Sequence, residues 1–138
     1  MRVGTGFGGT WLGAASQAAK RAEDLGYDIV GTPETAHDSM LTAVLGAAAT
    51  ERIEVQTSVT IAFPRSPTVL AMEAWDIQEM SKGRFTLGLG SQVKGHNINR
   101  FSVEWGPAAP RMKEYIQMLK AVWHAFQTGE KPDFVGKH

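Results

Sequence analysis

The feature of this sequence that most constrains its fold is an alternation. Four strand-like segments take turns with four helix-like segments over almost the whole chain. Residues 2–6 read as a short first strand weakened by glycine, and residues 11–25 place Leu12, Ala15, Ala19 and Ala22 on one helical face. Gly26 stands where the residue after a helix turns left-handed. A second strand is expected over residues 28–32, closed by Pro33, and a second helix starts at Asp38 or Ser39, either of which could cap it, and runs to about residue 50. Residues 53–61 are β-branched and nearly continuous, as in a strand buried on both faces. Ser66-Pro67 is a helix start, with Leu70, Ala74, Ile77 and Met80 sharing one face before Gly83. Residues 85–90 alternate Phe85, Leu87 and Leu89 with smaller residues as a fourth strand. A loop spans residues 91–109, and a last helix opens at Pro110 with Tyr115, Met118, Leu119, Val122 and Phe126 at helical spacing.

Strands that alternate with helical crossovers imply an α/β fold with a parallel sheet and right-handed connections. With 138 residues the chain fits one domain over residues 1–138. A doubly wound sheet needs only this length, whereas a complete (β/α)8 barrel takes about 250 residues. The pattern alone leaves both architectures open.

Composition narrows the chemistry. Positive and negative side chains balance at 14 each with no basic cluster, which argues against a nucleic-acid partner. No segment approaches the roughly 20 apolar residues of a membrane helix, and the N-terminus lacks the apolar stretch of a secretion signal, so a cytoplasmic protein without a membrane partner is expected. There is no cysteine, and His37, His96, His124 and His138 stand apart without a metal-ligand spacing, so no metal site is expected.

Several motifs could carry function. Gly4, Gly6 and Gly9 match a dinucleotide-binding pattern, although only Met1-Arg2-Val3 precede it, where a full apolar strand is required. Glu34 and His37 follow the second strand, and polar residues at that edge of a parallel sheet face the β-α loops where ligands bind. Equally, Asp38 could simply cap a helix and His37 could be a surface residue. Residues 55–67 end a strand in hydroxyl residues and continue through Phe63 and Arg65 into a helix, a combination able to meet a planar ligand. Gly88 and Gly90 mark close approach of a backbone or a ligand to the fourth strand. Of the four tryptophans, Trp75 and Trp123 suit helix packing, and Trp105 in the long loop is the candidate for a binding surface.

In the runs Ser58-Val59-Thr60-Ile61-Ala62-Phe63-Pro64-Arg65-Ser66-Pro67 and Gly83-Arg84-Phe85-Thr86-Leu87-Gly88-Leu89-Gly90-Ser91, with the helix between them, the chain resembles the luciferase-like monooxygenase superfamily. Continued through Gln92-Val93-Lys94 and Arg111-Met112-Lys113-Glu114-Tyr115, it is similar to the branch of coenzyme F420-dependent oxidoreductases. The resemblance implies a (β/α)8 barrel of which this chain holds the first four β-α units, that is, a truncated N-terminal half. It implies hydride transfer between a small organic substrate and coenzyme F420, or FMN-dependent oxygenation as the alternative. His37 and Glu34 then fall where members place ring-contacting or proton-handling residues. Thr57, Ser58 and Val59 match a strand end where the family often has a bulge with a non-proline cis peptide behind the cofactor ring. Ser91 and Gln92 match the fourth strand's edge near the cofactor. Asparagines at 97 and 99 replace the charged residues expected in that loop, so no general acid is assigned there. The resemblance also implies that much of the cofactor's phosphate binding comes from later β-α units, beyond the four matched here. A half-barrel also exposes strand edges and apolar surface, for which a homo-oligomer, catalytic or not, is the expected remedy.

Overall fold

The computed structural model describes residues 1–7 and 11–137. The third glycine of the dinucleotide pattern, Gly9, therefore lies outside the described residues, as does His138. The chain divides into two compact units, Met1–Thr60 with Asp76–Leu89, and Ile61–Trp75 with Gly90–His138.

The first unit is a parallel sheet with its crossover helices. Strands β1 (Gly4–Gly6), β2 (Ile29–Thr32), β3 (Glu54–Thr57) and β5 (Phe85–Thr86) lie side by side in that order. The register runs Gly4↔Ile29, Ile29↔Glu54 and Val55↔Phe85, every pair parallel, as the β-α alternation predicts. Between β1 and β2 the chain makes a 3₁₀ turn (Leu12–Ala14) before helix α1 (Ala15–Asp24), a tighter start than the continuous helix expected. Ala15, Ala19 and Ala22 are buried on its inner face, and Gly26 ends it at φ +87°. In helix α2 (Ser39–Ala49), Asp38 wins the contest for the cap: its Oδ1 accepts the Met40 and Leu41 N–H groups at 2.8 and 3.0 Å. Met40, Ala43 and Ala47 from α2 join Val30, Ile53, Val55, Ile77 and Phe85 in this unit's core.

Two polar side chains secure the turn from α2 into β3. Arg84 donates to the Ala47, Thr50 and Ile53 carbonyls at 3.1, 2.8 and 2.8 Å, which satisfies acceptors that the end of α2 leaves open. Glu23, 6% exposed at the end of α1, accepts the N–H groups of Glu51, Arg52 and Ile53 on one oxygen at 2.9, 2.6 and 3.0 Å.

Both long strands of the sequence reading are interrupted. The third ends at Thr57, and a separate short strand β4 (Thr60–Ile61) follows Ser58 and Val59; the Ser58–Val59 peptide is cis. The fourth divides into β5 and β6 (Leu89–Gly90). Within the first unit the Thr57 hydroxyl donates to the Gly88 carbonyl at 2.8 Å and accepts the Gly88 N–H at 2.9 Å, so a side chain takes the place of the backbone ladder. A Cβ on Gly88 would collide with the Thr57 carbonyl oxygen, which is why a glycine stands there. Alternation shows which face a residue takes, but not where a ladder breaks.

Helix α3 (Pro67–Met80) starts at the proline as expected, and Gly83 follows its end at φ +84°. In the second unit, the expected loop over residues 91–109 contains a short helix, α4 (Lys94–Asn99). The last helix, α5 (Ala108–Thr128), opens two residues before Pro110, which sits in the first turn where a missing N–H costs nothing. Its stop, unforeseen in the sequence, is Gly129 at φ +77°. The unit's core joins Leu70, Ala71 and Ala74 to Tyr115, Leu119 and Val122. The Trp123 indole N–H donates to the Ala71 carbonyl at 3.0 Å, and Trp75 meets Phe126 edge to face at 5.4 Å, so both tryptophans serve packing. Among the described residues no helix is long and apolar enough to cross a membrane.

Candidate functional site

In a parallel sheet the C-terminal strand ends all point one way, so the residues that follow β2 and β3 share an edge. Thr32 and Thr57 are partners in register, and the pairing runs one residue further, with the Ser58 N–H donating to the Thr32 carbonyl at 2.9 Å. This brings together the segment holding Glu34 and His37 and the step Ser58–Val59. Ser58 and Val59 are exposed there, Val59 at 42%. The Ser58 side chain lies over the backbone of β2: a Cβ on Gly31 would stand 2.6 Å from its Oγ. Gly31 is thus the recess that seats the Ser58 hydroxyl, a role the sequence signals only as a glycine inside a strand.

Beneath that edge runs a chain of polar side chains. The Ser39 hydroxyl donates to Glu34 Oε2 at 3.0 Å and lies 2.8 Å from the Thr60 hydroxyl. Ser39 and Thr60 are both fully buried. The Thr32 hydroxyl donates to the Ser39 carbonyl at 3.1 Å. Because Asp38 takes the cap, the Ser39 hydroxyl is released to orient the half-buried Glu34 carboxylate. Ser39 and Thr60 are the residues the site reading missed. The spacing between them carries no signal, since 21 positions separate the two hydroxyls. His37 is exposed in the same loop. Thr57 is 2% exposed, with its hydroxyl engaged by Gly88, so it supports the edge from below.

Ser91 and Gln92 belong to the second unit. Both are half-buried, and Gln92 takes a left-handed backbone at φ +58°, its Oε1 accepting the Val93 N–H at 2.9 Å. The same unit holds a cavity of about 300 Å³ lined by Phe63, Arg65, Arg111, Tyr115 and Phe134. There the Arg111 guanidinium stacks over the Phe63 ring at 4.4 Å, and the Tyr115 hydroxyl donates to the Arg65 carbonyl at 3.1 Å. Burial pushes the Tyr115 phenol above its ordinary pKa, so it remains a hydrogen-bond donor across the working pH range. Trp105 lines another cavity, of about 490 Å³, with Glu104, Pro107 and Arg111.

The luciferase-like monooxygenase family matches residues 4–138. An uncharacterized protein of Mycobacterium tuberculosis is 43% identical over 126 residues, covering 91% of this chain and 37% of its relative. The F420-dependent glucose-6-phosphate dehydrogenase of Amycolatopsis mediterranei is 29% identical over 133 residues, covering 84% of this chain and 39% of the dehydrogenase. The oxygenating constituent of 3,6-diketocamphane monooxygenase from a Pseudomonas putida plasmid, solved with FMN, superposes with a TM-score of 0.78 at 17% identity, over 89% of this chain and 40% of that one. The chain thus spans 37–40% of the length of these three proteins. Its strand and helix order is that of about the first four β-α units of such a barrel, which decides between the two architectures that the pattern left open.

Proposed function

The chain belongs to the luciferase-like monooxygenase family, and from that premise we propose that it forms one wall of a coenzyme F420 site in an oxidoreductase acting on a small organic substrate. The observation that carries the reading is the edge after β3, where an apolar side chain and a hydroxyl stand exposed side by side over a glycine recess. A deazaflavin ring is flat and apolar across its face and polar along its rim, and this pair of surfaces fits it. Val59 would lie against the ring face, with the Ser58 hydroxyl at the rim. Ser91 and Gln92, which belong to the second unit, are a separate candidate edge for the cofactor. When bound, F420 supplies a two-electron hydride donor or acceptor.

Proton handling falls to the loop after β2. Glu34 accepts a hydrogen bond from the buried Ser39 hydroxyl, which orients its carboxylate within that loop. His37 is exposed in the same loop, and its ring nitrogens can meet a bound ring or substrate through hydrogen bonds. F420 is preferred to FMN because an F420-dependent dehydrogenase is among the chain's sequence relatives. The FMN-bound structural neighbour supports FMN oxygenation as the second reading.

Fluorescence titration with F420, FMN and NADP separates the possibilities. F420 is expected to bind most tightly, a preference for FMN moves the assignment to oxygenation, and NADP binding lost in Gly6→Val would restore the dinucleotide reading. For His37→Ala, affinity for F420 or turnover is expected to fall about tenfold, roughly 1.4 kcal/mol, with the thermal midpoint unchanged because the side chain is exposed. Unaltered binding and turnover in that variant would remove His37 from the site.

A further inference from the structure

Asn97 is 0% exposed, deeper than any other residue of α4, and its amide is used unevenly. The Nδ2 group donates to two carbonyls, Ser91 at 2.9 Å and Val93 at 3.1 Å. These are the carbonyls on either side of Gln92, the residue held left-handed at φ +58°. The Oδ1 atom is buried with no hydrogen-bond partner among the described residues. A side chain present for packing alone would be better served by leucine, which has nearly the same shape and no acceptor to desolvate. The amide's donor side is therefore what the position requires.

We infer that Asn97 is a positioning residue that clamps the turn Ser91–Gln92–Val93 and so fixes the edge offered to the cofactor; the inference rests on the reading of that edge as part of the F420 site. A non-glycine residue at positive φ is disfavoured, and a turn that adopts it needs outside support. The clamp supplies it from both sides at once. The Gln92 side chain adds a third tie by accepting the Val93 N–H, and the Val103 N–H donates to the Asn97 carbonyl at 2.8 Å, which anchors the clamp to the following loop. The sequence shows this residue only as an asparagine where a charged residue is expected. Its role follows from reaching back six positions to Ser91.

The test is Asn97→Leu in the full chain, with two readouts. Backbone NMR of Gln92 is expected to lose its left-handed signature while the remaining amides hold their shifts. F420 affinity, followed by fluorescence, is expected to fall about tenfold or more. A Gln92 that stays left-handed in Asn97→Leu overturns the clamp. A lost turn with unchanged F420 affinity overturns its link to the cofactor. Absence of both F420 and FMN binding in the unaltered chain overturns the cofactor reading and the purpose assigned to the turn, while the NMR result still decides whether Asn97 sets its conformation. Should Asn97→Leu fail to fold, the double variant Asn97→Leu/Gln92→Gly is expected to recover the fold, because glycine takes the left-handed conformation unaided. Failure of that rescue also overturns the clamp.

Discussion

Glu23→Ala is expected to lose about 3–5 kcal/mol of unfolding free energy in urea denaturation, a large share of the roughly 5–15 kcal/mol that folded domains commonly have. The carboxylate is 6% exposed and receives three successive backbone N–H groups, from Glu51, Arg52 and Ile53. Lys20 Nζ sits on its second oxygen at 3.0 Å. Alanine would leave those donors unpaired, the Ile53 N–H in the core among them, and would free the entry to β3. Burial pushes the Glu23 carboxyl upward, but the hydrogen bonds from Ile53, Arg52, Lys20 and Glu51 outweigh it and hold the pKa at about 2 against 4.5 when unfolded. A depressed folded pKa stabilises the protein above the unfolded value, and that contribution fades as pH falls from about 4.5 towards 2. It amounts to about 3 kcal/mol at neutral pH. Acid denaturation of the wild type should therefore be steeper between these pH values than that of Glu23→Gln, which keeps an acceptor and loses the titration. Parallel acid curves for the two proteins would refute the assignment.

Gly88→Ala is expected to cost about 3 kcal/mol, the upper part of the range for overpacking, because the added methyl meets a backbone carbonyl that cannot turn aside. The Thr57–Gly88 pair of hydrogen bonds would break, and the Thr60 N–H, which donates to the Gly88 carbonyl at 2.8 Å, would shift with it. Thr60 and Thr57 flank Ser58–Val59, so the variant should also weaken F420 binding where wild type binds it. Gly95→Ala is the control. It lies inside α4, where an added methyl meets nothing within 4 Å, and it is expected to be neutral or to stabilise by about 0.5–1 kcal/mol. Equal midpoints for Gly88→Ala and wild type in thermal unfolding would show that the close approach carries no weight.

Much of the fold was legible because it is written in local patterns. The 3.6-residue spacing of Ala15, Ala19 and Ala22, the helix starts at Asp38-Ser39 and Pro67, and the glycine stops at 26 and 83 each depend on residues within one or two turns of each other. The candidate site was legible in part for the same reason: β-α alternation brings the residues after β2 and β3 to one edge whatever the rest of the chain does. Which hydroxyl is free at that edge was not legible. Thr57 and Ser58 are adjacent and chemically alike, yet the first is spent on a backbone 31 positions away and the second is exposed.

By itself, the sequence determined the alternation of the main strands and helices, the parallel α/β class and, through ordered motifs, the family. Only the tertiary structure decided where the strands break, that Ser39 and Thr60 orient Glu34, that Glu23 ties α1 to the start of β3, and that Asn97 holds the turn at Gln92. The division has a physical cause. Helix periodicity, capping and strand alternation are short-range and repeat, so they leave a pattern in one dimension. A buried polar group needs a partner at hydrogen-bond distance, and which partner it finds depends on the packing of the folded chain.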